Sequence, residues 1–379
     1  MRPDVRIMNT SYLGGEWYID EMKTAANDAA GVPFTLPKYK YTYMNDWVPI
    51  KEVIDRPVNI KEVMSFIRSD DRASQIKLVD GSYTDYLPTR KIALPVDKEN
   101  AIRSGIVKEE DRSLMVDTVY MELRGSSIDK NKLMILDMLS NFDWKRPIYL
   151  TQVYILQDLG LMDYLQFDGY AYRLVPIRTP SESAWDIGRI DPDYAAPLLR
   201  DTFRYGNLSD PEVYADHFVQ YNLGASGARQ AFARVAKSLL AEERVAEAVE
   251  LLDLGLERLP IEQIRFTDAN TYPFLEGYYA AGMMGDETAN EKGDRLMMAY
   301  LNNLIEYIEY YLQFEGAQAD MVDRALSRRF EELEEAYLLA SYARRYDLLR
   351  YMNDYYRTLG VEEKDLMPIP GEQTEALDR

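Results

Sequence analysis

His217 is the one histidine in a chain that has no cysteine at all. Those two counts remove thiolate nucleophiles, disulfides, thiolate metal sites and multi-histidine metal centres together. A serine triad would have to use His217, and no G-x-S-x-G elbow supplies the serine. The setting Tyr214-Ala-Asp-His217-Phe218 reads as helical, where a histidine serves packing or the surface. No Walker-type phosphate loop is present, and no G-x-G-x-x-G follows a strand. Gly224-Ala-Ser-Gly227 reads as a loop before a helix, with Ser226 as its N-cap. Paired carboxylates are the one catalytic chemistry that composition leaves open. The obvious clusters, Glu109-Glu110-Asp111, Glu242-Glu243 and Glu331-Glu332 with Glu334-Glu335, read as solvated faces. Asp191-Pro-Asp193 offers two oxygen ligands, too few to hold a hard cation. The expectation is a chain with no catalytic residue, no cofactor and no metal site.

The elements that would position any such residues fall into two regimes. The chain has 379 residues, 47% of them hydrophobic and 28% charged, enough apolar material for a core. Its formal net charge of −20 repels phosphate backbones and anionic headgroups, so nucleic acid is not an expected partner. No apolar run approaches the roughly 18 residues of a spanning helix, and no signal peptide is visible. Residues 1–180 read as a mixed α/β domain. Strands are expected at Val5–Met8, Ile76–Val79, Arg90–Val96, Val116–Leu123 and Pro147–Val153. Helices are expected over Glu16–Ala30, after Asn59 with Glu62 as capping partner, and from Asp129 to Leu139. Leu165–Phe167 and Tyr170–Ile177 flank Asp168-Gly169, a tight hairpin turn. Residues 181–210 carry Pro180, Pro192 and Pro197 around them and read as a linker or wrap.

Residues 211–365 read as almost pure helix, and 366–379 as a polar tail. Arg229–Pro260 fits a tetratricopeptide repeat, with Ala236, Ala248 and Gly255 where backbones approach and Phe232, Val235, Leu239 and Leu252 filling the space between. Gly277 and Ala289 stand 41 residues further on, against a standard period of about 34, which predicts an extended connection around Thr267–Pro273. A degenerate third unit covers Glu331–Leu359. Such a stack either offers a peptide-binding groove or caps the α/β half. The fold class is therefore α+β: a mixed domain followed by a tetratricopeptide-like helical domain. Tyrosine is enriched, at 30 residues, and Tyr307, Tyr310, Tyr311, Tyr337, Tyr342, Tyr346, Tyr351, Tyr355 and Tyr356 crowd the last helices, serving packing or an interface.

Four stretches in order, NTSYLGGEWYIDEMK (Asn9–Lys23), DYLPTRKIALPVD (Asp85–Asp97), KNKLMILDMLSNFDWKRPIYLT (Lys130–Thr151) and FDGYAYRLVPI (Phe167–Ile177), resemble the C-terminal part of polytopic membrane proteins grouped with the protein O-mannosyltransferase-like enzymes. The resemblance implies a soluble, extracytoplasmic (periplasmic-side) accessory domain, tethered through a membrane half that holds the catalytic acids. The implied partners are that membrane half and an acceptor protein or peptide, with no insertion of this segment itself. Trp17, Tyr18, Trp144, Lys145 and Arg146 are the binding candidates, for an interface or a glycan, because aromatic rings stack on sugars and arginine supplies forked donors. The same residues also read as stabilisers of a sheet–helix junction. Two other functions stay open: a free-standing repeat adaptor for peptides, and a glycan-active enzyme using two carboxylates.

Overall fold

The computed structural model describes residues 2–181, 186–225 and 227–370. The chain divides into two compact units, Met1–Arg189 and Ile190–Arg379.

In the first unit the helices are α1 (Glu16–Lys23), α2 (Lys38–Tyr43), α3 (Ile60–Arg68), α4 (Lys98–Arg103), α5 (Lys130–Ser140) and α6 (Tyr154–Gln157). The strands are β1 (Trp47–Pro49), β2 (Val58–Asn59), β3 (Gln75–Lys77), β4 (Tyr83–Asp85), β5 (Lys91–Pro95), β6 (Thr118–Glu122), β7 (Ser127–Asp129), β8 (Tyr149–Leu150), β9 (Leu165–Phe167) and β10 (Tyr172–Leu174). They form small sheets in the orders β2-β5-β6, β8-β10-β9, β1-β7 and β3-β4, with β2 parallel to β5 and the other ladders antiparallel. Alternation sets the buried face: Ile92 and Leu94 of β5 and Val119 and Met121 of β6 enter the core, while Tyr120 and Glu122 face water. Helices α3 and α5 cover this core, and both start as local chemistry dictates. The Asn59 side chain accepts from the Lys61 N–H, and Asp129 accepts from the Lys132 N–H at 2.8 Å. Glu62 closes no reciprocal box, since only the Asn59 half of the cap is formed.

Sheets this small leave loop backbone to be satisfied elsewhere, and buried charges do it. Asp137, fully buried on α5, accepts from the N–H groups of Thr35 and Leu36 at 2.7 and 2.8 Å and from Arg68 at 2.9 Å. Lys40 and Asp85 pair at 3.0 Å, and Arg173 and Asp168 at 3.0 Å, all four side chains buried.

Several expectations need correction. Val5–Met8 forms no strand and joins no ladder among the described residues. The helix expected over Glu16–Ala30 ends at Lys23: the Thr24 hydroxyl donates to the Glu21 carbonyl and the chain turns back. Gly31 then passes so close that a Cβ would stand 2.1 Å from the Lys23 carbonyl oxygen. Of Pro147–Val153 only Tyr149–Leu150 pairs, and the turn-rich Gly81–Pro88 stretch contains β4. The Asp168-Gly169 hairpin forms, with Gly169 at φ 88°.

Among the described residues the second unit holds helices and no strand: α7 (Pro192–Pro197), α8 (His217–Ala225), α9 (Gln230–Ala241), α10 (Val245–Arg258), α11 (Asp268–Met283), α12 (Glu287–Tyr311), α13 (Ala317–Tyr342) and α14 (Tyr346–Thr358). Helix α7 falls within the 181–210 stretch read as a linker or wrap and is started by Asp191, whose carboxylate caps the Tyr194 N–H. Gly224 and Ala225 end α8 instead of forming a loop, and Ser226 lies outside the described residues. From α9 to α14 each helix packs on the next. Short turns at 242–244, 284–286 and 343–345 reverse the chain with Glu243, Gly285 and Arg344 at φ 60°, 104° and 57°. Small residues set the approach: a Cβ on Gly255 would meet Phe232 at 2.8 Å, and one on Gly277 would meet Leu252 at 2.9 Å. Thr267 does not begin an extended connection. It caps α11, and Pro273 sits inside that helix. The added length lies in the connection between α10 and α11, residues 259–267, just ahead of the stretch expected.

Arg229 ties this unit together. It is fully buried and donates to the carbonyls of Leu259, Pro260 and Ile264, at 2.8, 3.2 and 2.7 Å from Nη2. Those carbonyls lie at and beyond the end of α10, which has run out of intrahelical donors. Burial pushes the guanidinium down to about 10.

Candidate functional site

The five residues singled out in the sequence do not meet on one surface. Trp17 stands on α1 with 64% of its surface exposed. Tyr18 beside it is buried, and its hydroxyl accepts from the Asn9 N–H at 2.6 Å. Trp144 is only 1% exposed, and its indole N–H donates to the Pro95 carbonyl at 2.8 Å. Its backbone is left-handed, at φ 62°, which turns the ring inward against Phe142. Trp144 thus holds α5 to β5 and presents no face to a ligand. Lys145 is exposed and pairs with Asp143 at 2.7 Å, holding that carboxyl below its usual range. Arg146 donates to the Ala30 carbonyl at 2.9 Å. The Trp144–Arg146 segment follows the C-terminus of α5, whereas Trp17 stands near its N-terminus. The 11 residues of that helix keep the groups about 16 Å apart.

Around Trp17 the chain builds a cleft of about 330 Å³. Its aromatic walls are Tyr12, Trp17 and Trp47, and its polar lining is Asp46, Asp129, Lys130 and Asn131. Trp17 is held at 5.4 Å from Tyr18 and 6.0 Å from Tyr12, centroid to centroid. Trp47 is held by the ladder, directly opposite Asp129 in the β1–β7 register. The Lys130 N–H donates to the Asp46 carbonyl at 2.9 Å and locks the loop of Trp47 onto the first turn of α5. Lys132 engages Asp129 at 2.6 Å and Asp158 at 3.0 Å.

Lys130 is the unusual group. Its side chain is 7% exposed, and burial pushes its ammonium down against the opposing fields of Asp46 and Glu16. A cation on the first turn also opposes the helix dipole. Among the described residues its ammonium has no hydrogen-bond or ion-pair partner, and neither does the buried Oδ1 of Asn131. Sequence reading missed Trp47, Lys130 and Asn131. The available signal was a lysine at the first position of α5, where a helix N-terminus disfavours positive charge. Flat apolar faces beside unspent donors and acceptors are equipment for recognition.

The remaining groups considered for chemistry fall into plain roles. His217 begins α8 and is exposed. Asp193 pairs with Arg244 at 2.8 Å, and Asp111 with Arg189 at 2.6 Å. Glu332 departs from the solvated face expected of it: it is 2% exposed and lies between Arg328 at 3.3 Å and Arg329 at 2.7 Å. The helical unit carries a larger cleft of about 620 Å³, lined by Glu262, Arg265, Phe266, Glu306, Tyr307 and Tyr310 among others.

A family profile described as TMEM260-associated domain 2 matches residues 1–194. Comparison with curated proteins and comparison with solved structures each gave no match. Among the described residues no helix is long and apolar enough to cross a membrane.

Proposed function

Because the chain belongs to the family of TMEM260-associated domain 2, we propose that it is the non-catalytic accessory module of an O-mannosyltransferase-like membrane protein. The match carries this reading, since it spans the whole mixed unit and TMEM260 is a membrane protein. In this role the mixed unit docks on the membrane half at its extracytoplasmic face. The tetratricopeptide-like helices hold the acceptor protein or peptide.

Two features support that division of labour. Stacked helical hairpins leave concave surfaces that take extended partners. The cleft lined by Arg265, Phe266, Tyr307 and Tyr310 has the residue types that anchor protein partners. A tethered module of this kind raises the local concentration of acceptor without adding chemistry.

The test is reconstitution. The purified chain alone should transfer no sugar. With the membrane half present it should raise transfer to a protein acceptor, and Tyr310→Ala should reduce that gain. Transfer by the chain alone, abolished by one carboxylate-to-amide change, overturns the proposal. Acceptor binding with no effect on the membrane half would leave a free-standing peptide adaptor in its place.

A further inference from the structure

The cleft at the start of α5 combines features that packing alone does not explain. Trp17 and Trp47 leave 64% and 62% of their surfaces in water, though Trp17 is held by an edge-to-face contact with Tyr18 and Trp47 by the β1–β7 ladder. Between them lie the ammonium of Lys130, a residue only 7% exposed, and the buried Oδ1 of Asn131, which has no hydrogen-bond partner among the described residues. Unpaired polar groups at such depth are rare because each forfeits its hydration. Two glycines keep the floor open. A Cβ on Gly14 would stand 3.1 Å from Asn131 Oδ1, and one on Gly15 would stand 3.1 Å from Trp17 Nε1.

We propose that this cleft binds a neutral saccharide, stacked on Trp17 and Trp47 and hydrogen-bonded by Lys130 and Asn131. A pyranose ring presents an apolar C–H face and a rim of hydroxyls, each of which both donates and accepts. The face suits the indoles. The rim suits Lys130 as donor, Asn131 Oδ1 as acceptor and the Asp46 carboxylate as a second acceptor. At about 330 Å³ the cleft matches the small end of ligand sites. An anion fits less well: the carboxylates Asp46 and Asp129 line the cleft beside Lys130, in a chain of net charge −20. An aliphatic side chain would cover the rings and leave both polar groups desolvated. The inference stands apart from the accessory role, because it concerns binding by this chain on its own.

Calorimetric titration and saturation-transfer NMR of the full chain test it. The probes are maltose, cellobiose and mannobiose, with glucuronate and inorganic phosphate as anions. At least one neutral disaccharide should bind with a Kd below roughly 5 mM, and the anions at least about tenfold more weakly. Trp17→Ala and Lys130→Met should each weaken binding about tenfold or more, with the melting curve of the chain unchanged. Trp17 is exposed, so its loss leaves the core intact. Tyr310→Ala, in the other unit, should leave saccharide binding unaltered. No binding by any disaccharide overturns the proposal, as does anion binding of equal strength, or full affinity in Trp17→Ala.

Discussion

The mixed unit and the helical unit solve the same problem with opposite materials. In the first, side chains far apart in sequence meet through buried charge: Lys40 with Asp85, Arg68 with Asp137, and Arg173 with both Asp168 and the Gly105 carbonyl. In the second, consecutive helices meet through small residues and buried phenols, as Gly255 under Phe232 and Tyr278 against Asp253 show. The difference follows from the backbone. Helices satisfy their own amides, so only their ends need help, and Arg229 supplies it. Short strands and long loops do not, so a carboxylate such as Asp137 stands in for the missing ladder.

That contrast breaks most visibly at Asp137. Asp137→Ala strands two loop amides and the Arg68 guanidinium, and should destabilise the mixed unit by about 3–5 kcal/mol. Denaturant titration should show this transition moving while the helical one stays. The mirror experiment is Arg229→Met, which keeps the volume but leaves the carbonyls beyond α10 unpaired. It should cost about 2–4 kcal/mol, confined to the helical transition. Equal shifts of both transitions in either variant would mean that the units do not unfold separately.

Alkaline pH should sharpen the contrast further. Burial pushes Tyr272, Tyr355 and Tyr356 up to about 12 and Tyr278 and Tyr279 higher still, from an ordinary value of 10.0. The folded helical unit therefore keeps protons that the unfolded chain releases. Its stability should be intact below pH 10 and fall as pH climbs through 10 to 12. In the mixed unit the buried Tyr41 is raised as well, by burial first, with Asp20 accepting from its hydroxyl. Circular-dichroism melts across that range should show the helical unit losing ground first. The smallest effect is a gain. Arg344 is exposed and left-handed, at φ 57°, so Arg344→Gly should stabilise α13–α14 by about 0.5–1 kcal/mol after the entropic cost of glycine.

How legible each unit is in sequence follows the same division. Caps are local, so Asn59 and Asp129 announce their helices, and Asp168-Gly169 announces its hairpin. The apolar stripes of α9 and α10 are local too. Whether a β-rich stretch pairs depends on a distant edge: Val5–Met8 forms no strand, and β4 hides in a turn-rich segment. The cleft was half visible. Trp17 reads as a contact residue, but its juxtaposition with Trp47, Lys130 and Asn131 depends on the β1–β7 pairing, which spans much of the unit. Trp144 shows the converse. Its ring chemistry is plain from the sequence, yet a left-handed backbone, invisible there, turns it inward.

The placement of the indoles gives the molecule a built-in optical label. All 4 tryptophans precede residue 190, and Trp144 is sealed in the core of the mixed unit. Its emission in the native state should be blue-shifted relative to that of Trp17 and Trp47 and should redden when that unit opens. The far-ultraviolet helical signal, in contrast, comes mainly from the second unit. One unmodified sample therefore carries two separate colours, one for each half.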